Sequence, residues 1–232
     1  MKSGSSWTWK QLKSHPQIGV PFRKGYPVKE LHLIDRLNIT LPEYLERFGR
    51  VKKFKTGEFT PNYMCCPYAP LFIKTHFSKA KLFTIFRNPV DRAFSHYKDN
   101  LYYRKIPKHV SFLEAFFENY PKLESNHYSV RSKGMYGDQL ENWYKFFDPK
   151  EIKVLFHDDI VDNSLKFIQE VFAWVEVDPF VPPNYMKRSV KKYNVAYESM
   201  QYNPDDRLQV FNFYKDQIAK LEDLTGRKLN WS

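Results

Sequence analysis

Lys81-Leu82-Phe83-Thr84-Ile85-Phe86 runs straight into Arg87-Asn88-Pro89-Val90-Asp91-Arg92-Ala93-Phe94-Ser95-His96-Tyr97, and the fold is read outward from this junction. The first run is short, apolar and β-rich, as a buried strand requires. Asn88 is a good helix cap, and Pro89 suits a first turn whose N–H needs no partner, so a helix is predicted from Val90 to Tyr103. The same order returns downstream. Ile152-Lys153-Val154-Leu155-Phe156 reads as a strand ending in an acidic turn at Asp158-Asp159. A helix follows from Ser164 to Val175, with Leu165, Ile168, Val171, Phe172 and Val175 at helical spacing. Asn203-Pro204 opens a third helix, predicted to carry Leu208, Phe211, Ile218, Leu221 and Leu224 on one face and to stop at Gly226. Strand, turn and helix in repeated order predict an α/β fold with a central parallel sheet flanked by helices.

With 232 residues and no internal repeat, one domain spanning 1–232 is expected. Lys+Arg 37 against Asp+Glu 26 gives a formal charge of +11. The lysines are dispersed rather than gathered into a basic arm, which argues against nucleic acid and for an anionic small ligand steered by the overall field. Aromatic residues make up 18% of the chain, which excludes a disordered polypeptide. No apolar run approaches the roughly 20 residues of a membrane-spanning helix. The start lacks a charged segment leading into an apolar one, so a cytoplasmic location is expected. Cys65 and Cys66 are adjacent, form no disulfide framework and are expected to pack as small apolar side chains. No cysteine–histidine cluster accompanies them, so no metal site is expected.

Lys2-Ser3-Gly4-Ser5-Ser6 precedes an aromatic helix predicted from Trp7 to Ser14 and closed by His15-Pro16. A small-residue loop entering a helix presents several backbone N–H groups, a suitable cradle for phosphate. It is not a Walker A loop, whose lysine comes last. Read alone, the segment is equally a solvated tail, and the Arg87 segment equally an ordinary strand-to-helix turn with surface arginines. A loop of this kind normally follows a strand, and only Met1 precedes it, so the first strand is expected to be missing or truncated. An arginine at the C-terminal edge of a strand lies where α/β folds bind ligands, and its planar fork suits a phosphate.

Together the two segments resemble the sulfotransferase family that uses 3′-phosphoadenosine 5′-phosphosulfate (PAPS). The first is similar to its 5′-phosphosulfate loop, K-[ST]-G-[ST]-[ST]. The second is similar to its 3′-phosphate element, R-[ND]-P-x-[DE]-R-x-x-S-x-Y, at every fixed position. Lys29-Glu30-Leu31-His32-Leu33-Ile34-Asp35 resembles the K-E-x-H-F-F-D segment of the heparan-sulfate-type and bacterial branch. Gly57-Glu58-Phe59-Thr60-Pro61-Asn62-Tyr63 resembles its G-E-x-[TS]-P-x-Y. Gly134-Met135-Tyr136 with Leu140 and Trp143, and Thr225-Gly226-Arg227-Lys228-Leu229-Asn230-Trp231 near the C-terminus, extend the resemblance. The sequence departs from the heparan-sulfate pattern at Phe59, where a lysine is usual, and Lys191-Lys192-Tyr193 only partly replaces a glycine-rich basic loop.

The resemblance implies a P-loop-like fold and in-line sulfuryl transfer from PAPS, a co-substrate that leaves as 3′-phosphoadenosine 5′-phosphate (PAP), with no metal. It implies Glu30 as the base for an acceptor hydroxyl or amine, Lys2 at the leaving group and His32 assisting. It implies donor contacts from Lys2, Ser3, Gly4, Ser5, Ser6, Trp7, Arg87 and Ser95. It implies acceptor contacts from Lys29, Asp35, Thr60, Asn62 and Tyr63, the expected acceptor being a carbohydrate, with a lipid or a small metabolite as the alternatives. Two rivals stand beside this reading. One is a P-loop kinase relative; the other is an inactive protein of the same fold that binds a nucleotide or an anionic sugar.

Overall fold

The computed structural model describes residues 2–36, 38–49, 51–118, 120, 129–183, 185 and 200–231. They divide into two compact units: Met1–Ser3, Phe86–Lys145 and Val190–Ser232 in one, Gly4–Ile85 and Phe146–Ser189 in the other. Lys191-Lys192-Tyr193 lies outside the described residues.

The second unit opens with helix α1 (Ser5–Ser14), which begins earlier than predicted because a left-handed Gly4 turns the chain into it. Strand β1 (Ile18–Gly19) pairs in parallel with β4 (Lys55–Thr56), and β2 (Phe22–Arg23) pairs antiparallel with β3 (Tyr26–Pro27). Between them lies α2 (Leu41–Glu46), capped reciprocally by Thr40 and Glu43. Helix α3 (Ala69–His76) leads to β5 (Leu82–Phe86), which neighbours β6 (Ile152–Phe156). The predicted β5 and β6 are thus present, and the α/β class holds. Among the described residues the strands form three separate two-stranded sheets, and no strand precedes α1.

Asp158 and Asp159 do not form the expected turn. They sit in the first turn of α7 (His157–Asp162), where carboxylates complement the positive end of the helix. Asn163 ends α7 and caps α8 (Ser164–Trp174) by accepting from the Lys166 N–H at 2.9 Å. The core of this unit gathers Trp7, Leu12, Ile85, Leu155, Ile160, Phe167, Ile168, Val171 and Phe172. Cys66 is fully buried, and Cys65 donates its thiol to the Asn62 carbonyl at 3.2 Å.

In the other unit Asn88 caps α4 (Pro89–Tyr102) by accepting from the N–H groups of Val90 and Asp91. Helices α5 (Phe112–Phe117), α6 (Tyr136–Tyr144) and α9 (Pro204–Thr225) complete it, and Gly226 closes α9 in the left-handed conformation. The inward face of α9 keeps the predicted Ile218 and Leu221 but adds Val210 and Tyr214, while Leu208 is 58% exposed. The reason is polar. The Tyr214 hydroxyl donates to the Arg131 carbonyl at 2.7 Å and accepts from Arg92, so an amphipathic ring occupies a position that the apolar pattern overlooked. At Gly134 a Cβ would meet the Tyr214 ring at 2.6 Å, so only glycine lets this contact form.

Candidate active site

The loop 2–6 is built from unusual backbone. Lys2 has φ 67 and Gly4 φ 86, both in the left-handed region. A Cβ at Gly4 would also lie 2.6 Å from Ile160 Cδ1, so the position demands glycine. Gly4 is the N-cap of α1 and supplies no side-chain cap, which keeps side chains from covering the first N–H groups of a ten-residue helix. This positive helix end and glycine-only turn fit an anionic phosphate. Ser3 and Ser5 are buried and Ser6 half-buried. Trp7 is a core residue. Its ring packs edge-on to Phe167, and its indole N–H donates to the Tyr185 carbonyl at 3.1 Å.

Arg87, at the end of β5, donates from Nη1 to the Lys2 carbonyl at 3.1 Å. The Lys2 ammonium donates to Asp99 Oδ2 at 2.7 Å. Asp99 lies on α4 one turn beyond the half-buried Ser95, so Arg87, Ser95 and Asp99 all come from the strand-to-helix element whose sequence drew attention. Asp99 was not singled out from the sequence. An acidic residue in mid-helix, spaced to share a face with Ser95, was the available signal.

Glu30, His32 and Asp35 come together in the other unit. Segment 29–33 has no regular structure, yet its side chains alternate: Leu31 and Leu33 are buried, whereas Glu30 and His32 meet on one side. His32 Nε2 lies 3.1 Å from Glu30 Oε2, and Nδ1 lies 2.8 Å from Asp35 Oδ2. His32 adopts φ 51, a strained conformation for this residue type. Lys29 bridges the Glu30 carboxylate and the Ser5 hydroxyl of the loop, and it stands over the Phe59 ring at 5.9 Å.

The electrostatics follow from these contacts. Burial would raise the Glu30 carboxyl, but the His32 hydrogen bond and the Lys29 ammonium outweigh it and hold the group at about 2. Hydrogen bonds to Asp35 and Glu30 overcome burial and push His32 up to about 9. At neutral pH the pair is therefore carboxylate and imidazolium.

Thr60 and Tyr63, expected at the acceptor, are buried and brace this segment from below. Thr60 Oγ1 accepts from the Leu31 N–H at 3.1 Å and donates to Glu58 Oε2 at 2.6 Å. The Tyr63 hydroxyl accepts from the N–H groups of Leu33 and Ile34, each at 3.3 Å. Asn62 sits on the same 3₁₀ turn, Pro61–Cys65, with its carbonyl oxygen Oδ1 buried. Burial pushes the Glu58 carboxyl up, and the Tyr44 and Tyr63 phenols surround it. Among the described residues no group of three His, Cys, Asp or Glu side chains is arranged to hold a metal ion.

Comparison with known proteins bears on the family and the fold. Heparan sulfate glucosamine 3-O-sulfotransferase 3B1 of Mus musculus is 33% identical over 251 residues, covering 99% of this chain and 62% of that protein. The chain spans about half the length of several other curated relatives, 52% in each. A sulfotransferase from Alicyclobacillus acidocaldarius superposes with a TM-score of 0.81 over 98% of this chain and 93% of that one, at 24% identity. Mouse SULT7A1, solved in complex with PAP, superposes with a TM-score of 0.56 over 97% of this chain and 86% of that one, at 16% identity. These two structures share the fold. Residues 1–210 match the family described as the sulfotransferase domain, and the chain belongs to that family.

Proposed function

We propose that the chain acts as a single PAPS-dependent sulfotransferase domain, with Glu30 as the base and a carbohydrate hydroxyl as the acceptor. The observation that carries this reading is the Glu30 carboxylate, held ionised between His32 and a lysine that also reaches the glycine-turned loop. The donor would supply the sulfuryl group and a phosphate leaving group. Glu30 takes the proton of the acceptor hydroxyl while the acceptor oxygen bonds to sulfur. The bond from sulfur to the bridging phosphate oxygen breaks, and the Lys2 ammonium neutralises the charge that develops there. Ser3, Ser5 and Ser6, with the N–H groups at the start of α1, hold the 5′-phosphate. Arg87 and Ser95 hold the 3′-phosphate.

Lys29 links the two halves of this chemistry. While it pairs with Glu30 it adds to the His32 hydrogen bond in holding the carboxyl near 2, a poor proton acceptor. An anionic donor at the loop draws the ammonium toward Ser5, and the basicity of Glu30 rises as the pair loosens. His32, with Asp35 behind it, keeps the carboxylate oriented. The 3-O-sulfotransferase relative supports a carbohydrate acceptor.

The test is incubation of the chain with PAPS and a series of heparan-type oligosaccharides, read by mass spectrometry. Gain of a sulfuryl group with stoichiometric release of PAP is expected. Tight PAP binding without transfer to any carbohydrate would instead favour a binding protein or another acceptor class.

A further inference from the structure

We propose that Asp99 is a latch on Lys2: its carboxylate holds the loop ammonium, and an anionic donor must draw that ammonium away. The inference rests on the PAPS reading above. Three observations converge on it. First, the Lys2 Nζ to Asp99 Oδ2 distance is 2.7 Å and both side chains are largely buried, at 13% and 12% exposure, so the pair is no screened surface contact. Second, the lysine is fixed at its backbone as well. Arg87 holds its carbonyl and its φ is 67, so the backbone that carries the ammonium is held in place. Third, Asp99 Oδ1 is buried and accepts no hydrogen bond among the described residues, so this carboxylate draws its hydrogen bonding from one side.

A buried carboxylate that loses its cation is left uncompensated, which is costly. Passing the ammonium from Asp99 to the bridging oxygen of a donor therefore works against the latch. This weakens donor and product binding, and after transfer the carboxylate reclaims the lysine and speeds departure of PAP. Asp99 is thus a positioning residue that trades donor affinity for release.

The experiment is a calorimetric double-mutant cycle with PAP on the full chain: wild type, Asp99→Asn, Lys2→Met and the double variant. Asp99→Asn should tighten PAP binding by about tenfold, within the coupling range of residues in direct contact. The same change should have no effect in the Lys2→Met background. Asp99→Glu, which keeps the charge, should bind as the wild type does, and it keeps the test open if the Asn variant melts early. Weaker binding by Asp99→Asn, or an effect that persists without Lys2, would overturn the latch while leaving the donor reading intact. A wild-type chain that does not bind PAP overturns the donor reading and the latch together.

Discussion

His32 meets Glu30 as an imidazolium, with Nε2 3.1 Å from Oε2, and each residue moves the titration of the other. His32 is raised to about 9 from an ordinary 6.5, so its contribution to stability is complete below 6.5 and is lost as pH climbs through 9. Glu30 is lowered to about 2 from 4.5, so its contribution is complete above 4.5 and is lost as pH falls toward 2. The melting temperature of the wild type should therefore decline between 6.5 and 9, and His32→Gln should remove that part of the decline. A variant whose melting profile runs parallel to the wild type across this window would contradict the pairing.

Glu30→Gln keeps the shape of the side chain and removes its proton affinity. Turnover should fall by about 10²–10⁴, the usual worth of a positioned base. Affinity for PAP should not fall, because no contact with the donor is assigned to this carboxylate and its loss frees Lys29 toward the loop. Equal loss of binding and turnover would make Glu30 a structural residue.

Arg87→Ala removes both a proposed phosphate ligand and the donor to the Lys2 carbonyl. A charge-assisted contact of this kind contributes about 1.5–3 kcal/mol, so the Kd for PAP should rise roughly tenfold to a hundredfold. Arg87→Lys should recover little, since a point charge does not reproduce the planar fork. Unchanged PAP affinity in Arg87→Ala would remove this residue from the donor site.

Glu58 lies beneath the Glu30 segment and receives the Thr60 hydroxyl at 2.6 Å. Burial raises its carboxyl, so the neutral isostere Glu58→Gln should cost little. Glu58→Ala leaves the buried Thr60 hydroxyl without its acceptor and should cost about 1–3 kcal/mol in urea unfolding. It should also lower kcat more than KM, because the Leu31 N–H depends on Thr60. The idea fails if the Gln and Ala variants lose equally.

The parts of the fold that were legible in the sequence are those with local causes. Asn88-Pro89 and Asn203-Pro204 announce α4 and α9, and two short β-rich runs announce β5 and β6, because caps and strand propensity act over a few residues. The buried face of α9 was legible only at Ile218 and Leu221, since Tyr214 is drawn inward by a hydroxyl shared with Arg92 and Arg131, far away in sequence. The site divides in the same way. The Glu30–His32 contact joins residues two apart, within the reach of a local pattern, although His32 takes a left-handed φ of 51 that no pattern announces. The Asp99 contact with Lys2 closes across 97 positions, and the Thr60 brace across 29, distances over which pattern and propensity carry no information.

The central claim is that the chain binds a PAPS-type donor. Calorimetric titration of PAP into the wild-type chain, with ATP in parallel, tests it most directly. One site per chain with micromolar affinity for PAP, and far weaker binding of ATP, is the predicted result. Heat from ATP alone, or from neither nucleotide, would contradict it.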